Sequence, residues 1–258
     1  MKIATFNANS VRSRLPLIIS WLKQNKPDIL CLQETKVSDD KFPALAFIEA
    51  GYNVVFKGEK AYSGVAIVSK EKLNDVVFGF DDGGPADESR LVRARLNTLN
   101  IVNTYVPQGR EIDHPMFKYK LEWFARLKKY FQKHFKPSQL VLWVGDINVA
   151  PEPIDLHNPD GNKDHVCFHI DVRNAFKDTA SWGFVDVFRK YHPEPKHYSY
   201  FDYRTPDAVK RKIGWRVDLI LATKPLAEKS SNCYIDVDAR LQPNPSDHTF
   251  VVAEFKLN

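Results

Sequence analysis

Leu140-Val141-Leu142-Trp143-Val144-Gly145-Asp146-Ile147-Asn148 is the stretch on which the reading of this 258-residue chain turns. Its leading apolar residues, rich in strand formers, predict a β-strand buried on both faces, the kind found inside a layered α/β protein. The apolar run stops at Gly145, which lets the backbone bend or be closely approached. Asp146 and Asn148 follow two apart, so an extended chain would point both to one side. A carboxylate beside a carboxamide at a strand end is a candidate for chemistry, because open α/β sheets gather ligands at the carboxyl ends of their strands. Taken alone, Gly-Asp is also what an ordinary turn looks like.

Other segments end in the same way. Residues 2–6 read as a strand that delivers Asn7 and Asn9. Ser13 is placed to cap a helix through Leu15, Ile18, Ile19 and Leu22, which Lys26-Pro27 closes. Residues 28–34 make a second buried strand that finishes on Glu34, so Asn7 and Glu34 lie at the ends of two strands whose βαβ-like spacing is compatible with their being neighbours in a sheet. A hairpin is expected over 52–56 and 64–69, a surface loop over 79–85, and two more strands over 91–96 and 100–105, the second ending on Tyr105. The spacing of Phe117, Leu121, Phe124, Leu127 and Phe131 predicts a helix over 116–135, with Lys118, Lys120, Arg126, Lys128, Lys129 and Lys133 on its solvated face. Residues 150–164 read as a long ordered loop, of the kind often tied to function.

Downstream, a short helix over 171–182 leads to strand-like 184–188 and to the aromatic segment Tyr198-Ser199-Tyr200-Phe201-Asp202-Tyr203. Lys210-Arg211-Lys212 precede Gly214-Trp215-Arg216-Val217-Asp218, a basic run beside aromatics that suits a nucleic-acid backbone and is equally an ordinary charged loop. Pro245-Ser246-Asp247-His248 introduces the last strand, 250–255.

Composition sets the frame. With 43% hydrophobic and 27% charged residues the chain is globular, and no linker or repeat divides it, so one domain over 1–258 is expected. The net charge of +5 permits a polyanionic partner. Cys31, Cys167 and Cys233 are far apart and form no Cys-x-x-Cys pair, which reads as buried thiols in a reducing compartment. No apolar run nears the roughly 18 residues of a membrane span, so the expected location is cytoplasmic, with no membrane partner.

If the fold brings Asn7, Glu34, Asp146, Asn148, Asp218, Asp247 and His248 together, the site holds oxygen ligands, one imidazole and no thiolate. That inventory suits a hard cation such as Mg²⁺ completed by substrate phosphate, and disfavours zinc. The chain has no Gly-x-x-x-x-Gly-Lys loop and no dinucleotide fingerprint. The reaction class left is metal-assisted hydrolysis of a phosphate ester.

Asn7-Ala8-Asn9, Leu32-Gln33-Glu34, Tyr105-Val106-Pro107, Gly145-Asp146-Ile147-Asn148, Gly214-Trp215-Arg216-Val217-Asp218 and Ser246-Asp247-His248 stand in the order and rough spacing of the exonuclease III family of abasic-site endonucleases. Each motif alone is weak, but together they cover essentially the whole chain. The chain thus resembles a branch of the endonuclease/exonuclease/phosphatase superfamily. The resemblance implies a four-layered α/β sandwich, two mixed β-sheets face to face with helices outside.

It also implies Mg²⁺, with Mn²⁺ able to substitute, held by Glu34 with Asn7 and Asp247 nearby. By the same resemblance Asp146 orients or deprotonates the attacking water, and Asn148 holds the phosphate or that water. His248 contacts phosphate with Asp218 as its carboxylate partner, and Tyr105 lies beside the scissile phosphate. Asp146, Tyr105 and the metal are the alternatives for handling the water's proton. Tyr200, Trp215 and Val217 would line an apolar pocket for an extruded abasic sugar, with His169 near it, and Arg110, Lys210, Arg211 and Lys212 would meet the DNA backbone.

Two departures stand out: Ser10 replaces the Gly usual after the first motif, and Asn9 stands where some relatives have Asp. The implied function is hydrolysis of double-stranded DNA 5′ to abasic sites together with 3′–5′ exonuclease and 3′-end cleaning, by a monomer. Two alternatives belong to other classes: a non-catalytic nucleic-acid binder of the same fold, and a superfamily phosphoesterase acting on lipid head groups or inositol phosphates.

Overall fold

The computed structural model describes residues 1–257. In chain order its strands are β1 (Lys2–Asn7), β2 (Ile29–Gln33), β3 (Asn53–Glu59), β4 (Tyr62–Ser69), β5 (Asn74–Phe78), β6 (Leu91–Leu96), β7 (Leu99–Tyr105), β8 (Val141–Asp146), β9 (Phe184–Asp186), β10 (Asp218–Thr223), β11 (Ser230–Asp236) and β12 (Phe250–Phe255). The helices are α1 (Val11–Asn25), α2 (Ala44–Glu49), α3 (Pro115–His134), α4 (Ile170–Ala180), α5 (Val187–Tyr191) and α6 (Lys224–Ala227). The strands form two six-stranded sheets, ordered β11-β12-β1-β2-β4-β3 and β5-β6-β7-β8-β10-β9. At the centre of each lies a parallel pair, β1 with β2 and β7 with β8, flanked by antiparallel neighbours. Each parallel pair is joined through a helix, α1 in one sheet and α3 in the other, as parallel strands require.

Period-two alternation builds the layers. Along β8, Leu142 and Val144 face inward and pack with Ile3, Ile29, Ile67, Ile101, Ile220 and Val251 between the sheets. Val141 and Trp143 face the other way, against Phe124, Leu127 and Phe131 of α3 and Phe176 of α4. Ala4, Phe6, Leu30 and Leu32 likewise pack outward on Ile18, Trp21 and Leu22 of α1 and Phe47 of α2. The result is the expected α/β sandwich, four layers deep. Trp143 is fully buried, and its indole N–H donates to Thr104 Oγ1 at 2.9 Å, so truncating it to Ala costs about 3–5 kcal/mol. No helix among the described residues is long and apolar enough to cross a membrane.

The same alternation positions the functional ends. Asn7, Tyr105, Asp146 and Asp218 share the parity of the inward-facing residues of their strands, so they fall at one open end of the seam between the sheets. Cross-strand register sets Asp146 opposite both Tyr105 and Asp218. Just below them, Gln33 donates to Asn103 Oδ1 at 2.6 Å, and Asn103 donates to the carbonyls of Leu32 and Ala66 at 3.0 Å. This polar floor ties the sheets where the apolar seam gives way to the site.

Several local expectations need correction. Ser10, not Ser13, caps α1: its Oγ accepts the Ser13 N–H at 3.5 Å, and the helix begins at Val11. Residues 184–188 divide into the short strand β9 and the start of α5, whose cap is Asp186. The 198–203 segment is no strand and contributes only isolated bridges from Tyr200 to Trp215 and to His248. Lys120 is not on a solvated face but fully buried. Its ammonium donates to the carbonyls of Gln108, Asn148 and Val166 at 3.0, 2.7 and 2.8 Å.

Candidate active site

Gly145 prepares the site. Its φ is +139°, and a Cβ there would lie 2.0 Å from the Thr104 carbonyl oxygen, so only glycine lets β8 run this close to β7 just before Asp146. Asp146 and Asn148 do meet, though not by strand alternation. Asn148 takes φ +52°, and its N–H donates to Asp146 Oδ1 at 2.9 Å, a side-chain-closed turn. The Asn148 amide then donates to the Val106 carbonyl at 2.9 Å and to Asp146 Oδ2 at 3.3 Å. Beneath it, Lys120 pins the Asn148 carbonyl, and the Cys167 thiol lies 3.8 Å from Asn148 Oδ1.

From the other sheet, Asn7 Nδ2 donates to Glu34 Oε1 and to Asp146 Oδ2, each at 2.8 Å, and so holds the two carboxylates side by side. Glu34 sits one residue past β2 at φ +48°, with Lys36 Nζ 2.6 Å from its Oε2. Lys36 also donates to Asn9 Oδ1 at 2.7 Å, and Asn9 Nδ2 donates to Asp247 Oδ1 at 3.0 Å. At this position the amide therefore bridges a cation and an anion, which an aspartate could not do.

His248 completes the group. Its Nδ1 lies 2.8 Å from Asp218 Oδ2, which also accepts the Ser199 hydroxyl at 2.6 Å, and its Nε2 lies 4.0 Å from Asp146 Oδ2. Burial by itself would lower the imidazole pKa, but the charge and hydrogen bond of Asp218, then Asp146 and Asp247, push it up to about 10. Burial acts oppositely on Asp146: desolvation raises its pKa, His248 opposes, and Asp218 and Glu34 raise it further. Burial, Glu34 and Asp146 together hold the Tyr105 phenol well above its usual range, so it stays protonated, with the Arg90 guanidinium 4.9 Å from its ring centroid.

Glu34, Asp146 and His248 offer ligand atoms within 4.8 Å of one another. The two carboxylates match the oxygen ligands a hard divalent cation takes, while Asn7 turns its Nδ2 toward them and its Oδ1 accepts the Asn9 N–H at 2.9 Å. His248 is the poor ligand of the three, because its Nδ1 is committed to Asp218 and its charged form is favoured; it fits an anion instead.

Glu34, Asp146 and His248 line one cleft of about 550 Å³, together with Asn148, Tyr105 and Asp247 and, on its far wall, Tyr200, Trp215 and Val217, while Asn7 and Asp218 are buried behind its lining. His169 is not in it. That side chain caps α4 by accepting the Asp171 N–H and packs edge-on against Phe117, outside the cleft lining. From its loop, Asn162, His165 and Cys167 line the cleft instead, with the His165 ring 4.6 Å from Trp215. Arg110, Lys210, Arg211 and Lys212 are all exposed, within three residues in sequence of the cleft-lining Gln108 or Ile213.

The sequence reading missed Lys36, Lys120, Ser199 and the buried network behind Trp215. In that network Arg216 donates to Asp155 at 2.7 Å and to Asp186 at 2.8 Å, and Arg189 pairs with Asp155 as well. Lys120 was detectable: with Phe117, Phe124, Leu127 and Phe131 it keeps the three- and four-residue steps of the buried face, whereas Leu121 is only half-buried. No local signal marks Ser199 or Asp155.

A family model described as "Endonuclease/Exonuclease/phosphatase family" matches residues 4–248. The chain is 32% identical to exodeoxyribonuclease III from Haemophilus influenzae, over 99% of this chain and 100% of that one. Among solved structures, an AP endonuclease from Archaeoglobus fulgidus superimposes with a TM-score of 0.98 at 54% identity, covering 100% of both chains. A 3′ phosphatase from Neisseria, bound to a product DNA hairpin, superimposes with a TM-score of 0.93 at 36% identity, again covering 100% of both. With that match over nearly its whole length, the chain belongs to the endonuclease/exonuclease/phosphatase family, within its exonuclease III group of abasic-site endonucleases.

Proposed function

We propose that this protein is a Mg²⁺-dependent DNA repair hydrolase that cuts the phosphodiester 5′ to abasic sites and trims or cleans 3′ ends of double-stranded DNA. The observation that carries this reading is the meeting of Glu34, Asp146 and the Asp218–His248 pair in one cleft beside an aromatic wall. The relatives named as exodeoxyribonuclease III and AP endonuclease, and the neighbour bound to a DNA hairpin, support DNA as the substrate.

In this reading Glu34 would be the main ligand of the cation, with Asn7 and Asp247 near it, and a bound ion would supply positive charge against the phosphate. Asp146 accepts the proton of the attacking water, and its raised pKa suits a base working near neutral pH. Asn148 holds Asp146 through its backbone N–H and keeps the carboxylate aimed into the cleft. His248, held charged by Asp218, donates from Nε2 to the phosphate, where negative charge grows in the transition state. Tyr105, kept as a phenol, donates rather than accepts. Tyr200, Trp215 and Val217 accept the flipped abasic sugar, which a nucleotide with its base attached would overfill. Arg110, Lys210, Arg211 and Lys212 follow the phosphate backbone on either side.

A gel assay with abasic, nicked and intact duplexes, run with Mg²⁺ and with chelator, tests this. Incision 5′ to the abasic site in Mg²⁺ only is expected; activity that survives thorough chelation, or no cleavage of any duplex, contradicts it.

A further inference from the structure

Away from the cleft, the connection after α5 reads His192-Pro193-Glu194-Pro195-Lys196-His197 and places three potential ligand atoms within 4.8 Å of one another. His192 Nδ1 lies 3.4 Å, and His197 Nε2 2.8 Å, from the same oxygen, Glu194 Oε1. None of the three lines the cleft.

His192 Nε2 lies 2.8 Å from the Cys233 carbonyl, which can only accept, so that nitrogen carries a hydrogen. In the neutral ring Nδ1 then presents a lone pair to a carboxylate oxygen, a contact that a proton or a metal ion between them makes favourable. Carbonyl-bound N–H on one side and a free lone pair on the other is also how metal-ligating histidines are oriented. The segment is stiffened in advance: Pro193 and Pro195 fix φ, and Arg189 Nη1 donates to the carbonyls of His192 and Glu194 at 2.9 and 2.8 Å. Phe188 backs both rings, stacked on His192 at 4.6 Å and edge-on to His197 at 5.6 Å. The side chains remain 28%, 53% and 34% exposed, open to solvent for entry and for water ligands.

We propose that His192, Glu194 and His197 form a second metal site, for a borderline divalent ion of the Zn²⁺ class, independent of the reaction in the cleft. Two imidazoles and one carboxylate favour such an ion over Mg²⁺, which prefers oxygen alone. The site has a structural consequence. His197 runs directly into Ser199, which donates to Asp218, and Tyr200, which lines the cleft. An ion bound to the folded chain alone therefore stabilises the segment that supports the catalytic pair.

The test uses the full chain, stripped of metal and titrated with Zn²⁺ against a chromophoric chelator, with thermal unfolding followed in parallel. One site is expected that persists in Glu34→Gln, while Glu194→Gln and His197→Ala each weaken it by about 10-fold or more. Zn²⁺ should raise the Tm of the wild type and of Glu34→Gln but not of the other two. Wild-type Zn²⁺ affinity in both Glu194→Gln and His197→Ala, or loss of all Zn²⁺ binding in Glu34→Gln alone, overturns the proposal.

Discussion

The two strand–helix–strand units, β1–α1–β2 and β7–α3–β8, are built alike and end differently. Each lays down a parallel pair at the centre of its sheet and delivers polar side chains to the same open end of the seam. The first ends on Glu34, whose side chain is 14% exposed and already beside an ammonium group, Lys36. The second ends on Asp146, 1% exposed, beside Asp218 and the half-buried Tyr105. One architecture thus produces two electrostatic environments. An accessible carboxylate with a cationic neighbour suits exchange of that neighbour for a metal ion, and a buried carboxylate with raised proton affinity suits a base.

Substitutions should separate the two ends. Asp146→Asn should lower turnover by about 10²–10⁴-fold while DNA affinity stays within a few-fold, as for loss of a general base; equal turnover on an abasic duplex breaks the comparison. Asp155 sharpens it, being as buried as Asp146 but enclosed by arginines. Burial tends to raise its pKa, yet Arg216 and Arg189 hold it below the usual carboxylate range. A depressed folded pKa stabilises at pH above the unfolded value, and this stability is lost as pH falls through the lowered one. Asp155→Asn should cost about 3–5 kcal/mol at neutral pH by leaving buried guanidinium groups uncompensated. The gap between mutant and wild type should narrow in acid, as urea unfolding across pH would record.

Smaller effects follow at the rim of the pair. Removing the carboxylate beside His248 in Asp218→Asn takes away the largest influence that raises the imidazole pKa, leaving Asp146 and Asp247 to oppose burial. The alkaline limb of the pH–rate profile should then move down by about 1–3 units; an unmoved limb would detach His248 from phosphate binding. His169→Gly should leave the ratio of abasic-site incision to exonuclease action unchanged, because that side chain lies outside the cleft, whereas His165→Ala, beside Trp215, should shift it.

Much of this was legible in the chain because strand ends are written in single residues. An apolar run that stops on Asn7, Glu34, Tyr105 or Asp146 states both the strand and its polar terminus; period two then fixes the facing side of Asn7, Tyr105 and Asp146, whereas Glu34 reaches the site through a left-handed residue one past β2. The stacking of two mixed sheets followed only from the resemblance, and the order of their strands was not read at all, since pairing between β12 and β1, at opposite ends of the sequence, has no local signature. Turn geometry was misread at Asn148, where a left-handed residue rather than an extended chain brings the amide to Asp146. His169 was misplaced because its position depends on where α4 begins. The Asp155–Arg216–Asp186 network was invisible, because its members are scattered in sequence and each reads as surface charge.

The division of labour between the two ends is tested most directly by single-turnover cleavage of an abasic-site duplex across a Mg²⁺ titration, in wild type, Glu34→Gln and Asp146→Asn. Glu34→Gln should need about 10-fold more Mg²⁺ or beyond and then recover much of the wild-type plateau, whereas Asp146→Asn should keep its midpoint and lose its plateau. A plateau lost in Glu34→Gln at every Mg²⁺ concentration, with Asp146→Asn rescued by added metal, would contradict the account.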